Sequence, residues 1–137
     1  MSALPLRIIN FPHTEKEIKN KMKRPLAFVT AAWSGNTEKD TKLAADYCRA
    51  VYEVGFSPIC PALYLPLFTN NDVPQEHKDS IDMSRELLRR SHVLVVCGER
   101  ISETMKSDIA IAKRLKITAT TLTGLLAVKD CGHTKVL

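Results

Sequence analysis

An acidic residue, Asp108, follows a short apolar run and a glycine, and a tryptophan, a serine and an asparagine share an earlier loop, Trp33-Ser34-Gly35-Asn36. Asp108 falls one turn inside a helix that Ser102 is placed to cap, with Glu103 in the first turn and Met105, Ile109 and Ala112 spaced toward a core. A carboxylate beside such a stripe, just outside the carboxyl end of a strand, stands where open α/β sheets place their ligands. There it can act as a nucleophile, or pair on the helix surface with a cation such as Arg114. Trp33 can stack on a flat ring or pack in a core or interface. Ser34, Gly35 and Asn36 can donate to a sugar or phosphate, or can simply make a turn and a helix cap. Gly98, Ser102 and Met105 complete the candidate ligand-binding set. His13, His77, His92 and His133 share no ligand spacing, so no metal site is expected.

These residues need a scaffold. Val93 to Cys97 is β-branched and apolar without alternation, which predicts a central parallel strand buried on both faces and ended by Gly98. Leu26 to Thr30 predicts a first strand, with Ala31 to Asn36 as the loop at its end. Thr37 and Asp40 have the spacing of a capping box, and Ala44, Tyr47, Cys48 and Val51 mark the buried face of a helix that Gly55 stops. One glycine in that loop is too few for a phosphate-wrapping or dinucleotide fingerprint. Phe56 to Cys60 is read as a second strand, Pro61 to Pro74 as a long ordered loop, and Gln75 to Arg90 as a helix turning Ile81, Ser84, Leu87 and Leu88 inward. A fourth strand at Ile117 to Thr121 and a last short helix at Leu122 to Val128 finish the alternation. Strands separated by single helices predict an α/β, doubly wound parallel sheet of the flavodoxin-like kind, strand order 2-1-3-4, in a single domain over residues 26–128. Residues 1–25 read as an appendage, in which Leu4 to Phe11 can add an edge strand and Thr14 to Lys23 a short exposed helix, and residues 129–137 read as a tail.

With 137 residues, 45% of them hydrophobic, the chain has room for one real core. Its formal charge of +5 is spread along the sequence, so a dedicated nucleic-acid site is not expected. Cys48, Cys60, Cys97 and Cys131 make no paired motif and read as buried thiols in a reducing cytoplasm. No run is long enough to cross a membrane, and the expected location is cytoplasmic. No cofactor is implied. The apolar loop Tyr64-Leu65-Pro66-Leu67-Phe68 predicts a homo-oligomer, a dimer or larger.

Three pieces carry a family resemblance: Val29-Thr30-Ala31-Ala32-Trp33-Ser34-Gly35-Asn36; Tyr47-Cys48-Arg49 through Gly55-Phe56-Ser57-Pro58-Ile59-Cys60-Pro61; and Gly98-Glu99-Arg100-Ile101-Ser102-Glu103-Thr104-Met105-Lys106-Ser107-Asp108-Ile109. In order and spacing they resemble the nucleoside 2-deoxyribosyltransferase-like superfamily, closest to its small uncharacterised bacterial and phage branch. The resemblance implies a nucleoside or nucleotide ligand and, at Asp108, a carboxylate that attacks the anomeric carbon of the sugar. Asp108 stands where that family usually has glutamate, Thr104 where it usually has glycine, Ser91-His92 where an aspartate is common, and Ala62 where a histidine is common. Two expectations follow. One is transfer or hydrolysis at the N-glycosidic bond; the other is a nucleotide-binding or protein-interaction module on a catalytically degenerate form of the same fold.

Overall fold

Four strands, β1 (Leu26–Ala31), β2 (Ser57–Ile59), β3 (Val93–Cys97) and β4 (Thr118–Thr121), pair in parallel in the order β2-β1-β3-β4. The expected class and strand order are therefore those of the molecule. The computed structural model describes residues 13–21 and 23–127, and the expectations for Leu4 to Phe11, Val128 and residues 129–137 lie outside them. Helices α1 (Glu15–Lys21), α2 (Thr37–Val54), α3 (Pro74–Arg89) and α4 (Glu103–Arg114) flank the sheet, and a further helical stretch occupies 122–127.

Alternation along the strands sends side chains to two cores. Ala27, Val29, Val93, Val95 and Cys97 meet Ala44, Val51 and Val54 of α2 on one face, joined by Ile18 and Leu125. Phe28, Leu94 and Val96 meet Leu88 of α3 and Met105, Ile109 and Ala112 of α4 on the other. Every residue of β3 is buried, as its unbroken apolar run requires, and each such side chain contributes roughly 1.5–3 kcal/mol. β1 and β3 start level because His92 clamps them. Its backbone N–H donates to Leu26 O at 2.9 Å, and its Nδ1 accepts from Leu26 N at 2.9 Å.

Several local expectations need correction. Ile81 is exposed rather than inward; Leu88 carries the buried face of α3. The cap of α2 is Asn36, whose Oδ1 accepts from Lys39 N at 3.1 Å, so Thr37 and Asp40 form no capping box. The stretch Pro61 to Pro74, expected as a loop, contains two 3-10 turns, at Pro61–Leu63 and Leu65–Leu67, and its last residue begins α3. α1 is held by Thr14 and Glu17, each accepting from the other's backbone, and it buries Ile18 in the core instead of standing fully exposed.

Candidate functional site

The loops after β1 and β3 leave neighbouring strand ends, with a long helix starting beyond each. Thr30 lies on the face of β1 that meets α4, two residues after Phe28. α4 begins at Ser102, whose hydroxyl accepts from Met105 N at 3.3 Å while its own N–H points at the Met105 sulfur. That cap fixes the rotation of the helix. Asp108, on the same side as Met105 and Ile109, is then turned toward β1 and is only 8% exposed.

The Thr30 hydroxyl donates to Asp108 Oδ2 at 2.8 Å. Among the described residues no hydrogen bond reaches Oδ1. Burial pushes the Asp108 carboxyl up to about 6, against the pull of the Thr30 hydroxyl and of Arg85 on α3. Arg85 also approaches Ser107 Oγ, at 3.5 Å. The surface pairing with Arg114 expected as one alternative does not occur. Asp108 is a buried carboxylate, ionised near neutrality, with one oxygen fixed and one uncommitted. Such a group can attack an electrophilic carbon or accept a proton, and below about pH 6 it can donate one.

The loop Trp33 to Asn36 is committed differently. Asp40, buried one turn into α2, accepts from Ser34 N at 2.9 Å, from the Ser34 hydroxyl at 2.8 Å and from Gly35 N at 3.1 Å. Burial acts to raise its pKa, but the Ser34 hydroxyl and the Ser34 and Gly35 amides outweigh it, and the carboxyl lies below its ordinary value. The donors that the sequence suggested for a sugar or phosphate are thus turned inward to a side chain of the same chain. Asn36 is a cap. Trp33 keeps 37% of its surface exposed, and its carbonyl accepts from the Arg100 guanidinium at 3.2 Å, which ties the loop after β1 to the loop after β3.

Gly98 turns the chain out of β3 with φ +88°, and a Cβ there would meet the Tyr47 hydroxyl at 3.1 Å. Burial, then Cys97 and Glu99, raise the Tyr47 phenol. Met105 is fully buried and belongs to the core rather than to an open wall. His92 and Ser91 serve the opposite end of the sheet: the Ser91 hydroxyl donates to Leu87 O at 2.8 Å. Among the described residues no three His, Cys, Asp or Glu side chains are placed to hold a metal ion.

The structure therefore brings Asp108 and Ser102 to one side of the strand ends and Trp33 to Asn36 to the other. Thr30, Asp40, Arg100 and Tyr47 were not singled out from the sequence as site residues. Asp40 had a signal, because it sits on the α2 stripe of Ala44, Tyr47 and Val51 and so must face inward. Thr30 had a weaker one, a hydroxyl closing an otherwise apolar strand.

A doubly wound parallel α/β domain with its polar groups at the strand ends defines the class of this protein. Residues 25–122, more than half of the chain, match the family described as Domain of unknown function (DUF7768), and the chain belongs to that family. No curated protein matches it. Among the described residues no helix is long and apolar enough to cross a membrane.

Proposed function

We propose that this protein binds a nucleoside or nucleotide between the loops after β1 and β3, and that Asp108 acts on its N-glycosidic bond. The observation that supports this reading most is the buried Asp108 carboxylate, held through one oxygen by Thr30 and uncommitted at the other. The resemblance to nucleoside 2-deoxyribosyltransferases adds the substrate class. In the proposed step, Asp108 Oδ1 bonds to the anomeric carbon as the bond from that carbon to the base nitrogen breaks, its electron pair leaving with the base. Water or a second base then displaces the carboxylate and gives up a proton that neutralises the departed base, leaving the free sugar or a new nucleoside. Trp33, exposed in the loop after β1, supplies a face on which the base stacks.

A second reading, a nucleotide-binding or interaction module without turnover, draws on one observation. The Ser34 and Gly35 donors are taken by Asp40, so the loop after β1 has fewer groups to offer a phosphate or sugar. Incubation with a panel of deoxynucleosides, deoxynucleotides and acceptor bases, followed by chromatography of free base, separates the two. Turnover in the wild type that Asp108→Ala abolishes, with affinity kept within a few-fold, supports catalysis. Saturable binding without turnover, weakened by Trp33→Ala, supports the module. Neither turnover nor binding removes both. We also propose self-assembly through the loop of Tyr64 to Phe68, in which Leu67 and Phe68 are 83% and 63% exposed.

A further inference from the structure

Away from Asp108, the face of the sheet covered by α2 holds three cysteines in one cluster. Cys60 and Cys97 are buried there and Cys48 is half-buried against them, all as free thiols. The fold makes two of them meet. After α2 the chain reverses at Gly55, where Phe56 N donates to Val51 O at 3.3 Å, and β2 runs back along the helix. Six residues back along the helix from Val54 to Cys48 is about 9 Å, and three residues along the strand from Ser57 to Cys60 is about 10 Å, so the two sulfurs arrive level. They pack in the same cluster, close enough that each thiol is the largest influence on the other's ionisation. Cys60 follows β2 and precedes the 3-10 turn at Pro61–Leu63, where the Leu63 backbone interacts with the Cys60 sulfur as well as donating to its carbonyl at 3.0 Å.

We propose that Cys48 and Cys60 are an oxidisable dithiol, a modification site in which a hydroperoxide converts the pair to an intramolecular disulfide between α2 and the start of the 61–74 loop. Cys48, the more exposed of the two, attacks as thiolate: its sulfur bonds to one peroxide oxygen, the O–O bond breaks, and hydroxide leaves, giving a sulfenic acid. Cys60 then attacks that sulfur. The S–S bond forms, the S–O bond breaks, and the Cys60 proton leaves in water. Two thiols have lost two electrons and one hydrogen peroxide has become two waters. Exposure favours this order, since Cys48 is half-buried and Cys60 is buried, and the pairing acts in the same direction: Cys60 holds the Cys48 thiol below its usual range, while Cys48 and then burial raise Cys60. Cys97 is pushed up to about 12, by burial first and Cys48 second, and is the poorer partner.

The test treats the whole chain with hydrogen peroxide and maps it without reduction. Trypsin cuts after Arg49, so the disulfide appears as residues 43–49 linked to 50–78, lost on adding dithiothreitol. The same link should form when Cys97 and Cys131 are both changed to serine, and at a yield independent of protein concentration. Cys60→Ser should leave Cys48 as a sulfenic acid that dimedone traps, and Cys48→Ser should abolish both products. A bridge from Cys48 to Cys97, a link only between molecules, or overoxidised Cys48 with Cys60 still reduced in the wild type would each overturn the proposal. The wild-type map decides it whether or not the variants fold.

Discussion

Asp40 and Asp108 are both buried near the carboxyl end of β1, and they make opposite demands on protons. Asp40 is held below its ordinary value by the donors of Ser34 and Gly35. Its stabilisation is therefore complete above the unfolded carboxyl value of about 4 and is lost as pH falls through the folded one. Asp108 is raised to about 6, so its protonated form belongs to the fold. Its contribution is complete below about pH 4 and is lost as pH rises through about 6, a change on the order of 3 kcal/mol at most. Urea melts of Asp108→Asn should show no loss between about pH 4 and 6 and a more stable fold at pH 7, because the amide can still accept from Thr30. Asp40→Asn should instead flatten the loss on the acid side. If the Asp108→Asn profile parallels the wild type, the raised value of Asp108 is wrong. Turnover, if Asp108 is the nucleophile, must rise with pH through the same value near 6, so the group that weakens the fold there is the one that becomes reactive. Asp108 itself was legible in the sequence from its place after a strand and a glycine. Its partner was not, since a Thr30–Asp108 bond joins residues that only the β1-β3 pairing and the rotation of α4 bring together.

Helices and strands were legible where one signal was strong and unopposed. The unbroken run Val93 to Cys97 could only be a central strand, and Gly55, with φ +109°, ends α2 where a left-handed residue was needed. Misreadings arose where two residues competed for one role. At the start of α2, Asn36, Thr37 and Asp40 are all capping types, and spacing alone favoured Thr37 with Asp40; the buried side of the helix claimed Asp40, and Asn36 took the cap. In α3, Ile81 has the right spacing for the core but is exposed, the helix burying Leu88 and, in part, Leu87. The glycines test the loops directly. Gly35→Ala meets nothing within 4 Å and carries only its φ of +100°, about 1–2 kcal/mol. Gly98→Ala carries a similar φ cost and also drives a methyl onto the Tyr47 hydroxyl at 3.1 Å, so it should be the more destabilising of the two in denaturant melts. Adding Tyr47→Phe should recover the difference but not the shared part. Equal losses for the two glycine variants would mean that Tyr47 moves aside freely. At the other end of the sheet, His92→Ala removes the acceptor of the Leu26 amide and should cost about 1 kcal/mol, with the Thr30–Asp108 bond untouched.

At the scale of the molecule, the two cores account for the sheet and its helices, and among the described residues Tyr64, Leu67 and Phe68 form an apolar surface outside both cores. Leu65 is buried and anchors the loop, Thr69 donates to Leu65 O at 2.8 Å, and the Ser80 hydroxyl donates to Thr69 Oγ1 at 3.0 Å, so the segment is fastened to α3. Its outward side is Tyr64, Leu67 and Phe68, with the Tyr64 and Phe68 rings stacked at 6.4 Å. A rigid, fastened apolar ledge has already lost the conformational entropy that association would otherwise remove, which makes it a better contact than a loose loop of the same composition. We expect the wild type to sediment as a dimer or larger at micromolar concentration, and Leu67→Glu with Phe68→Glu to sediment as a monomer. The double variant should keep the wild-type circular dichroism and melting midpoint of the monomeric unit, because both side chains lie outside the cores and Leu65 still holds the loop. A wild type that remains monomeric as its concentration is raised would refute assembly through this ledge. A variant that stays oligomeric would move the contact to another face, since two buried carboxylates per subunit could not be tolerated on a surface that copies still share.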